Sequence, residues 1–390
     1  MKGHIRQRSK GSWTIVLYLG RRPDGKPNQT WQTVRGTRRH AERELARLLH
    51  EVNIGGYVEP SRITVAEHLG RWLKDAARLK VQPKTFERYA EIVNQHLIPA
   101  LGHHRLDKLL PLHIQSYYSD ALTSGRKDGK GGLSAQTVLH HHRVLHSALR
   151  QAVRWQLVAR NVADAVEPPR PKRSQPRVLD EEGTSRLVRA ARGTPYAMPA
   201  MLAVATGLRR GELLALRWEN VDFEAGTLRV VETLEQTNEG VRSKEPKTGK
   251  SRRTVAIGPT VVEELRRHRA EQAAARLVLG PAYHDHGLVF PREDGNLWPP
   301  DSFTTAFRAF ARSVGFEGLS FHGLRHTHAT HLLRQNTHPK IVSERLGHST
   351  IGITLDTYSH VVPGMQDEAA RKADETLRVA LGDGPLGRVR

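Results

Sequence analysis

The stretch HGLRHTHATH, residues 322–331, sets four histidines and one arginine within ten positions. Three chemistries compete for it: a metal cluster, ordinary surface, and a grip on phosphate. His322 and His326 stand four apart, and His328 and His331 three apart, spacings that put each pair on one helical face. A zinc hydrolase of the His-Glu-x-x-His kind needs a glutamate directly after its first histidine, and Gly323 occupies that place. The ten residues also hold no acidic side chain and no cysteine, so the zinc reading lacks both a general base and anionic ligands. Arg325 lies one helical turn beyond His322, so a proton acceptor and a paired N–H donor can address one phosphate from the same face. The stretch therefore reads as a helix built around a phosphodiester.

Composition points to the same partner. Lys and Arg number 61 against 40 Asp and Glu, a formal net charge of +21, which calls for a polyanion. The basic residues are spread along the chain and not gathered on one amphipathic helix, which favours nucleic acid over a membrane surface. With no cysteine, disulfides, thiolate zinc sites and cysteine nucleophiles are excluded, and a reducing compartment fits. No apolar run follows MKGHIRQRSK, and the fairly apolar run Ala197–Leu208 is too short to span a bilayer. The expectation is a soluble, intracellular protein, and 390 residues accommodate two or three domains.

Organisation along the chain is modular. WTIVLYL (13–19) and TWQTVR (30–35) flank a turn-rich segment and read as a hairpin, after which Thr37 caps a helix through ERELARLLHEV. This small unit carries Arg6, Arg8, Lys10, Arg21, Arg22, Lys26, Arg35, Arg38 and Arg39, of which Arg21, Arg22, Arg35, Arg38 and Arg39 are taken as DNA contacts. From about Ile63 four helical stretches follow, ending in SAQTVLHHHRVLHSALRQAVRWQLV (134–158). His140, His141 and His142 are consecutive, so they cannot converge on one metal; they are expected at the surface, with His140 and Arg143 as DNA contacts. VEPPRPKRSQPR (166–177) alternates Pro and Arg and reads as a basic linker. Beyond it helices return, interrupted by one strand-rich patch expected to form a small antiparallel sheet, with Lys247 at the tip of a strand pair.

Three further stretches supply partners for HGLRH. In ATGLRRGELLAL (205–216), Arg209 follows an apolar helix and Glu212 is spaced to hold its guanidinium; EPKTGKSRRTV (245–255) offers Lys247; LGHSTIGITLDTYSH (346–360) offers His348 and Tyr358. PKTGKS is no nucleotide-binding loop, because the glycine required five residues before its Gly-Lys is Lys244. Taken singly, Arg209 is a surface arginine, Lys247 a turn charge and His348 a helix-start residue. As an ordered set, TGLRRGEL, PKTGKSRR, HGLRH, LGHS and DTYSH resemble the tyrosine recombinase family, the phage-integrase type of site-specific recombinase. Similarity extends upstream, where TVAEHLGRWL through LSAQTVLHHHRVLHSALRQAV looks like the family's helical core-binding domain and the N-terminal unit, more loosely, its arm-binding domain.

The resemblance implies a multidomain, mainly α chain with an arm-type DNA-binding domain of small sheet plus helix over 1–58, a helical core-binding domain over 62–165, the linker 166–177, and over 178–383 a mainly helical catalytic domain with a small antiparallel sheet. It implies that Tyr358 attacks the scissile phosphate to give a 3′-phosphotyrosine, with His322 as proton acceptor. Arg209 and Arg325 would hold the non-bridging oxygens, Lys247 protonate the departing 5′-oxygen, His348 hydrogen-bond the phosphate, and Glu212 and His326 support them from behind. Neither a metal nor any other cofactor is implied, since cationic side chains carry the charge and the phosphotyrosine keeps the energy for resealing. Implied partners are double-stranded DNA at core and arm sites, a homotetramer on that DNA with QDEAARKADETLRVAL (366–381) packed on a neighbour, and accessory bending or directionality proteins. A type IB topoisomerase-like enzyme would not need the extra basic sheet and separate helical domain, and a non-catalytic repressor would not need Tyr358 or Lys247.

Overall fold

The computed structural model describes residues 3–21, 24–53, 62–172, 177–245, 252–358 and 365–381. Arg22, Lys247 and the linker positions 173–176 lie outside these residues. The chain divides into two compact units, Met1–Arg173 and Ser174–Arg390.

The first unit opens with an antiparallel sheet of β1 (Gly3–Ser9), β2 (Ser12–Arg21) and β3 (Pro27–Arg35), followed by α1 (Arg38–Asn53). Strand β1 is an addition to the expected hairpin: GHIRQRS has one large apolar residue, so it shows no alternation to read. Pairing Ile5 with Ile15 completes the row that buries Ile15, Leu17 and Val34 against Leu48 of α1. Because side chains alternate across a strand, the other face carries Arg6, Thr14, Val16, Tyr18, Gln29, Trp31, Thr33 and Arg35, with Trp31 71% exposed.

Four helical segments complete this unit: α2 (Val65–Trp72), α3 (Pro83–Ile92), α4 (Pro111–Ser124) and α5 (Ala135–Arg154). Thr64 and Glu67 form a reciprocal cap on α2, and Ser134 caps α5. Wide turns at Leu73–Ala77 and Val93–Leu97 extend α2 and α3, and Leu69, Trp72, Ile92, Leu97, Tyr118, Leu145 and Leu149 share one core.

The histidine run on α5 departs from expectation. His140 and Arg143 are exposed, but His141 is fully buried, its Nδ1 2.7 Å from the Tyr117 hydroxyl, and His142 is half-buried, 2.7 Å from the Tyr118 hydroxyl. Neutral imidazole serves as a polar core group here because each phenol supplies it a partner. Burial, with His96, Arg88 and His140 adding repulsion, pushes His141 down to about 4.

The second unit holds α6 (Glu181–Ala191), α7 (Ala197–Thr206) and the short α8 (Arg210–Leu214). Next come β4 (Val221–Asp222), β5 (Thr227–Val230), β6 (Thr233–Thr237), β7 (Gly240–Lys244) and β8 (Arg253–Ala256). The strand-rich patch is two antiparallel sheets, β4-β5-β8 and β6-β7, so β7 and β8, which flank Lys247, pair with different neighbours. Then follow α9 (Pro259–Leu279), α10 (Pro300–Ser313), α11 (Phe321–Arg334), α12 (Pro339–Leu346), α13 (Ile351–Tyr358) and α14 (Met365–Leu381). Phe303, Phe307 and Phe321 meet edge-on or stacked at 4.9–6.4 Å in the core, fixing α11 against α10. Helix α11 also packs along α7. Gly207 ends α7 at φ 67°, and a Cβ there would lie 2.6 Å from both His328 and Leu346 side-chain atoms. No helix among the described residues is long and apolar enough to cross a membrane.

Two outcomes are expected. The unfolded chain protonates His141 at its ordinary value of 6.5, whereas the folded chain resists until about 4, so stability is full above pH 6.5 and falls as pH drops toward 4. Urea denaturation followed by tryptophan fluorescence reads this loss, and the slope against pH is shallower in His141→Gln. Gly207→Ala, which meets both a positive φ and a steric clash, costs about 2 kcal/mol or more in the same assay.

Candidate active site

Helix α11 starts at Ser320, whose hydroxyl accepts the Gly323 amide at 3.1 Å, and it carries Arg325 into the interior, 3% exposed. Arg325 Nη1 donates to the Gly207 carbonyl at 2.7 Å and Nη2 to the Leu346 carbonyl at 2.8 Å. These carbonyls close α7 and α12, and a helix C-terminus presents partial negative charge, so two helix ends hold one buried cation. Burial, with repulsion from Arg209, pushes Arg325 down to about 9, which leaves it charged at neutral pH. Three of its five N–H donors remain beyond these two bonds for an incoming anion.

Arg209 precedes α8. Its Nη1 donates to Glu212 Oε1 at 2.7 Å and its Nη2 to the Gly347 carbonyl at 2.9 Å, while the Glu212 Oε2 accepts the Arg209 amide at 2.9 Å. Glu212 is 5% exposed and has a second cationic partner that the sequence reading passed over. Arg253 of β8, its side chain 7% exposed, forks onto the carboxylate at 2.8 and 3.2 Å and donates Nε to the Arg345 carbonyl at 2.8 Å. Burial would raise the Glu212 carboxyl, but the hydrogen bonds and charge of Arg253, with Arg209, outweigh it and hold the carboxyl below its usual range. A signal for Arg253 existed: in a strand it shares a face with Val255, which is 1% exposed. At Gly347, φ 66°, a Cβ would stand 2.8 Å from Arg253 Nη1, so the LGH turn fits only a glycine here.

Tyr358 ends α13 and is 2% exposed. Its hydroxyl lies 2.8 Å from His326 Nδ1. His326 was expected to stand behind the site with His322 facing the tyrosine; the structure reverses the contact. Among the described residues no hydrogen bond joins His322 to Tyr358. His322 meets His326 edge-on at 4.8 Å, and its surroundings are Arg325, Arg209 and Arg210. The reason is geometric, since α13 reaches α11 one turn, about 5.4 Å, beyond His322. His348 Nδ1 pairs with the buried Thr354 hydroxyl at 2.8 Å. Burial is the leading cause that lowers His322, takes His326 and His348 to about 4, and raises Tyr358 to about 12; nearby arginines add to the histidine shifts, and Arg325 opposes the tyrosine shift.

Arg209, Glu212, His322, Arg325, His326, His348 and Tyr358 thus meet in one centre, whereas Lys247 lies outside the described residues. The remaining histidines of the stretch are not mere surface. His328 Nε2 accepts from Arg345 Nε at 3.1 Å, so its Nδ1 carries the hydrogen that goes to the Val204 carbonyl at 2.7 Å. His331 Nε2 donates to the Leu179 carbonyl at 2.9 Å. Among the described residues, no group of three or more His, Asp or Glu is arranged to hold a metal ion.

Arg253→Ala is expected to leave the Glu212 carboxylate buried without its fork, at a cost of about 3 kcal/mol or more in urea denaturation, while Arg253→Lys recovers part of that loss.

Comparison with known proteins agrees with this architecture. Residues 177–364 match the phage integrase family, and residues 64–122 match the phage integrase N-terminal SAM-like domain. The tyrosine recombinase XerC of Mycobacterium sp. (strain KMS) is 31% identical over 219 residues, 54% of this chain and 67% of that protein. The XerC-like tyrosine recombinase of Caldanaerobacter subterraneus subsp. tengcongensis is 27% identical over 385 residues, 94% of this chain and 96% of that protein. The Tn1549 transposon integrase, solved in complex with transposon right end DNA, superposes with a TM-score of 0.66 at 20% identity, over 80% of this chain and 99% of that one. The chain belongs to the tyrosine recombinase family of phage-integrase type, enzymes that cut and rejoin DNA.

Proposed function

We propose that this chain is a site-specific DNA recombinase that integrates or excises a mobile genetic element through a 3′-phosphotyrosine. The observation that carries the reading is a buried tyrosine hydroxyl hydrogen-bonded to His326 in a centre that also gathers Arg209, Arg325, His322 and His348.

A tyrosine ordinarily ionises at about 10, so few are anionic at neutral pH and attack requires proton removal and stabilised charge. As the Tyr358 oxygen bonds to phosphorus, the bond to the 5′-oxygen breaks, leaving a 3′-phosphotyrosine and a free 5′-hydroxyl. Arg325 and Arg209 hold the non-bridging oxygens through donors their protein contacts leave over, and both are preset by backbone carbonyls before DNA arrives. His322, among Arg209, Arg210 and Arg325, faces the same anion, and His348 hydrogen-bonds it. Glu212 keeps Arg209 in place. Lys247 protonates the leaving 5′-oxygen, an assignment that rests on its sequence motif. Attack by a 5′-hydroxyl of a second strand reverses the step and exchanges the strands, with no cofactor called on.

The division of labour follows the sequence. Residues 1–58 serve as the arm-type DNA-binding domain, where Arg35 stands on the same open sheet face as Trp31, and Arg21, Arg22, Arg38 and Arg39 are the further contacts proposed from the sequence. Residues 62–165 grip the core site with His140 and Arg143 exposed on α5, 166–177 form the strap between the domains, and 178–383 carry the chemistry. The enzyme acts as a homotetramer on two duplexes in the nucleoid, assisted by DNA-bending or directionality proteins. Leu377 and Val379 of α14, 59% and 81% exposed, suit the role of that helix as a contact to a neighbour.

The test uses a pool of nicked duplexes with a randomised centre, in which loss of the short strand traps the adduct. Wild-type chain forms a covalent protein–DNA adduct that survives EDTA, Tyr358→Phe forms none, and Arg325→Ala forms it on the order of a hundredfold more slowly. Absence of any adduct with the wild-type chain overturns the reading.

A further inference from the structure

We propose that Arg253, the first residue of β8, is a positioning residue for DNA cleavage: it fixes where Arg209 presents its donors to phosphate. The inference rests on the recombinase reading above, and it gives a task to a residue to which the motif around Lys247 assigns none.

Helix α12 ends in three consecutive carbonyls, and each is taken by a different arginine. The Arg345 carbonyl accepts from Arg253 Nε at 2.8 Å, the Leu346 carbonyl from Arg325 Nη2 at 2.8 Å, and the Gly347 carbonyl from Arg209 Nη2 at 2.9 Å. A helix C-terminus leaves its last carbonyls unpaired and carries partial negative charge, so this one turn holds three guanidinium groups. Two of the three are the arginines assigned to phosphate. The third is turned inward: the Arg253 side chain is 7% exposed, and its Nη1 and Nη2 grip the Glu212 carboxylate at 3.2 and 2.8 Å.

Arg253 touches both supports of Arg209. Glu212, whose carboxylate it forks, accepts Arg209 Nη1 and the Arg209 amide. Gly347, whose carbonyl accepts Arg209 Nη2, lies against the Arg253 side chain, where an added Cβ would meet Nη1 at 2.8 Å and Cζ at 3.1 Å. Moving Arg253 therefore moves the carboxylate and the carbonyl that aim Arg209 together. Charge alone does not achieve this. A guanidinium reaches the carboxylate and the Arg345 carbonyl at once through donors in a fixed plane, whereas a lysine ammonium is a single point on a flexible stem. Lysine at this position keeps the charge beside Glu212 and loses the geometry.

The experiment is a double-mutant cycle on the rate of adduct formation at saturating DNA, using nicked duplexes selected by the wild-type chain. Arg253→Lys and Arg253→Gln are each placed in the wild-type chain and in Arg209→Ala. Leu265→Ala, which removes a fully buried side chain from the apolar core of the same unit, serves in both backgrounds as a variant that weakens the fold by another route. Urea denaturation verifies that each chain is folded, and a gel shift gives its DNA affinity.

The expected result is that Arg253→Lys slows adduct formation on the order of tenfold in the wild-type chain, and Arg253→Gln slows it further, with DNA affinity held within about threefold. In Arg209→Ala the same substitutions slow the reaction by less than about twofold, because the group they aim is gone. Leu265→Ala acts by the same factor in both backgrounds. Equal slowing by the Arg253 variants in both backgrounds, an unchanged rate in the wild-type chain, or a loss that lies in DNA affinity alone each overturn the proposal, as does a Leu265→Ala effect that also vanishes in Arg209→Ala. A wild-type chain that forms no adduct with any member of the pool overturns the recombinase reading itself and the proposal with it, an outcome seen before any variant is compared.

Discussion

One buried guanidinium organises the catalytic unit. Arg325 is tied to the last carbonyls of two helices that are distant in sequence, α7 through Gly207 and α12 through Leu346. A charge placed so deep is tolerated because it completes two helix ends that would otherwise leave carbonyls unpaired in the interior. The same bonds bring together the turn that positions Arg209 and the turn that positions His348. Folding of the core and assembly of the site therefore share one residue, a buried anchor of α11 that is also proposed to hold phosphate.

Around it the centre is arranged against its own charge. Arg209, Arg253 and Arg345 crowd the same turn, and Glu212 is the one carboxylate among these residues, shared between Arg209 and Arg253. The histidines answer by staying neutral. His328 illustrates how strictly, since the Arg345 donor on one nitrogen and the Val204 acceptor on the other leave it a single tautomer and burial takes it to about 3. An arriving phosphate relieves this excess, so ligand binding and stability of the unit are linked through the same residues.

Much of this was legible in the chain. The helical period and the ordered motifs pointed to Arg209, Glu212, His322, Arg325, His348 and Tyr358, because functional groups on regular elements keep their spacing. What escaped detection was the set of partners far away in sequence. His326 touches Tyr358 across 32 positions, Arg253 finds Glu212 across 41, and His141 finds Tyr117 across 24. A histidine or arginine has the same letter on a wet surface and in a satisfied interior, and only the partner separates the two. Strand β1 escaped for a local reason, as one isoleucine cannot establish a period.

The depth of Tyr358 has a consequence for the chain away from its target. With its ionisation raised to about 12, on the order of one molecule in a hundred thousand carries the phenolate at neutral pH, and the hydroxyl is already engaged by His326. The free protein thus holds its nucleophile protonated and hydrogen-bonded, and attack waits on removal of that proton and on cationic groups that stabilise the developing charge.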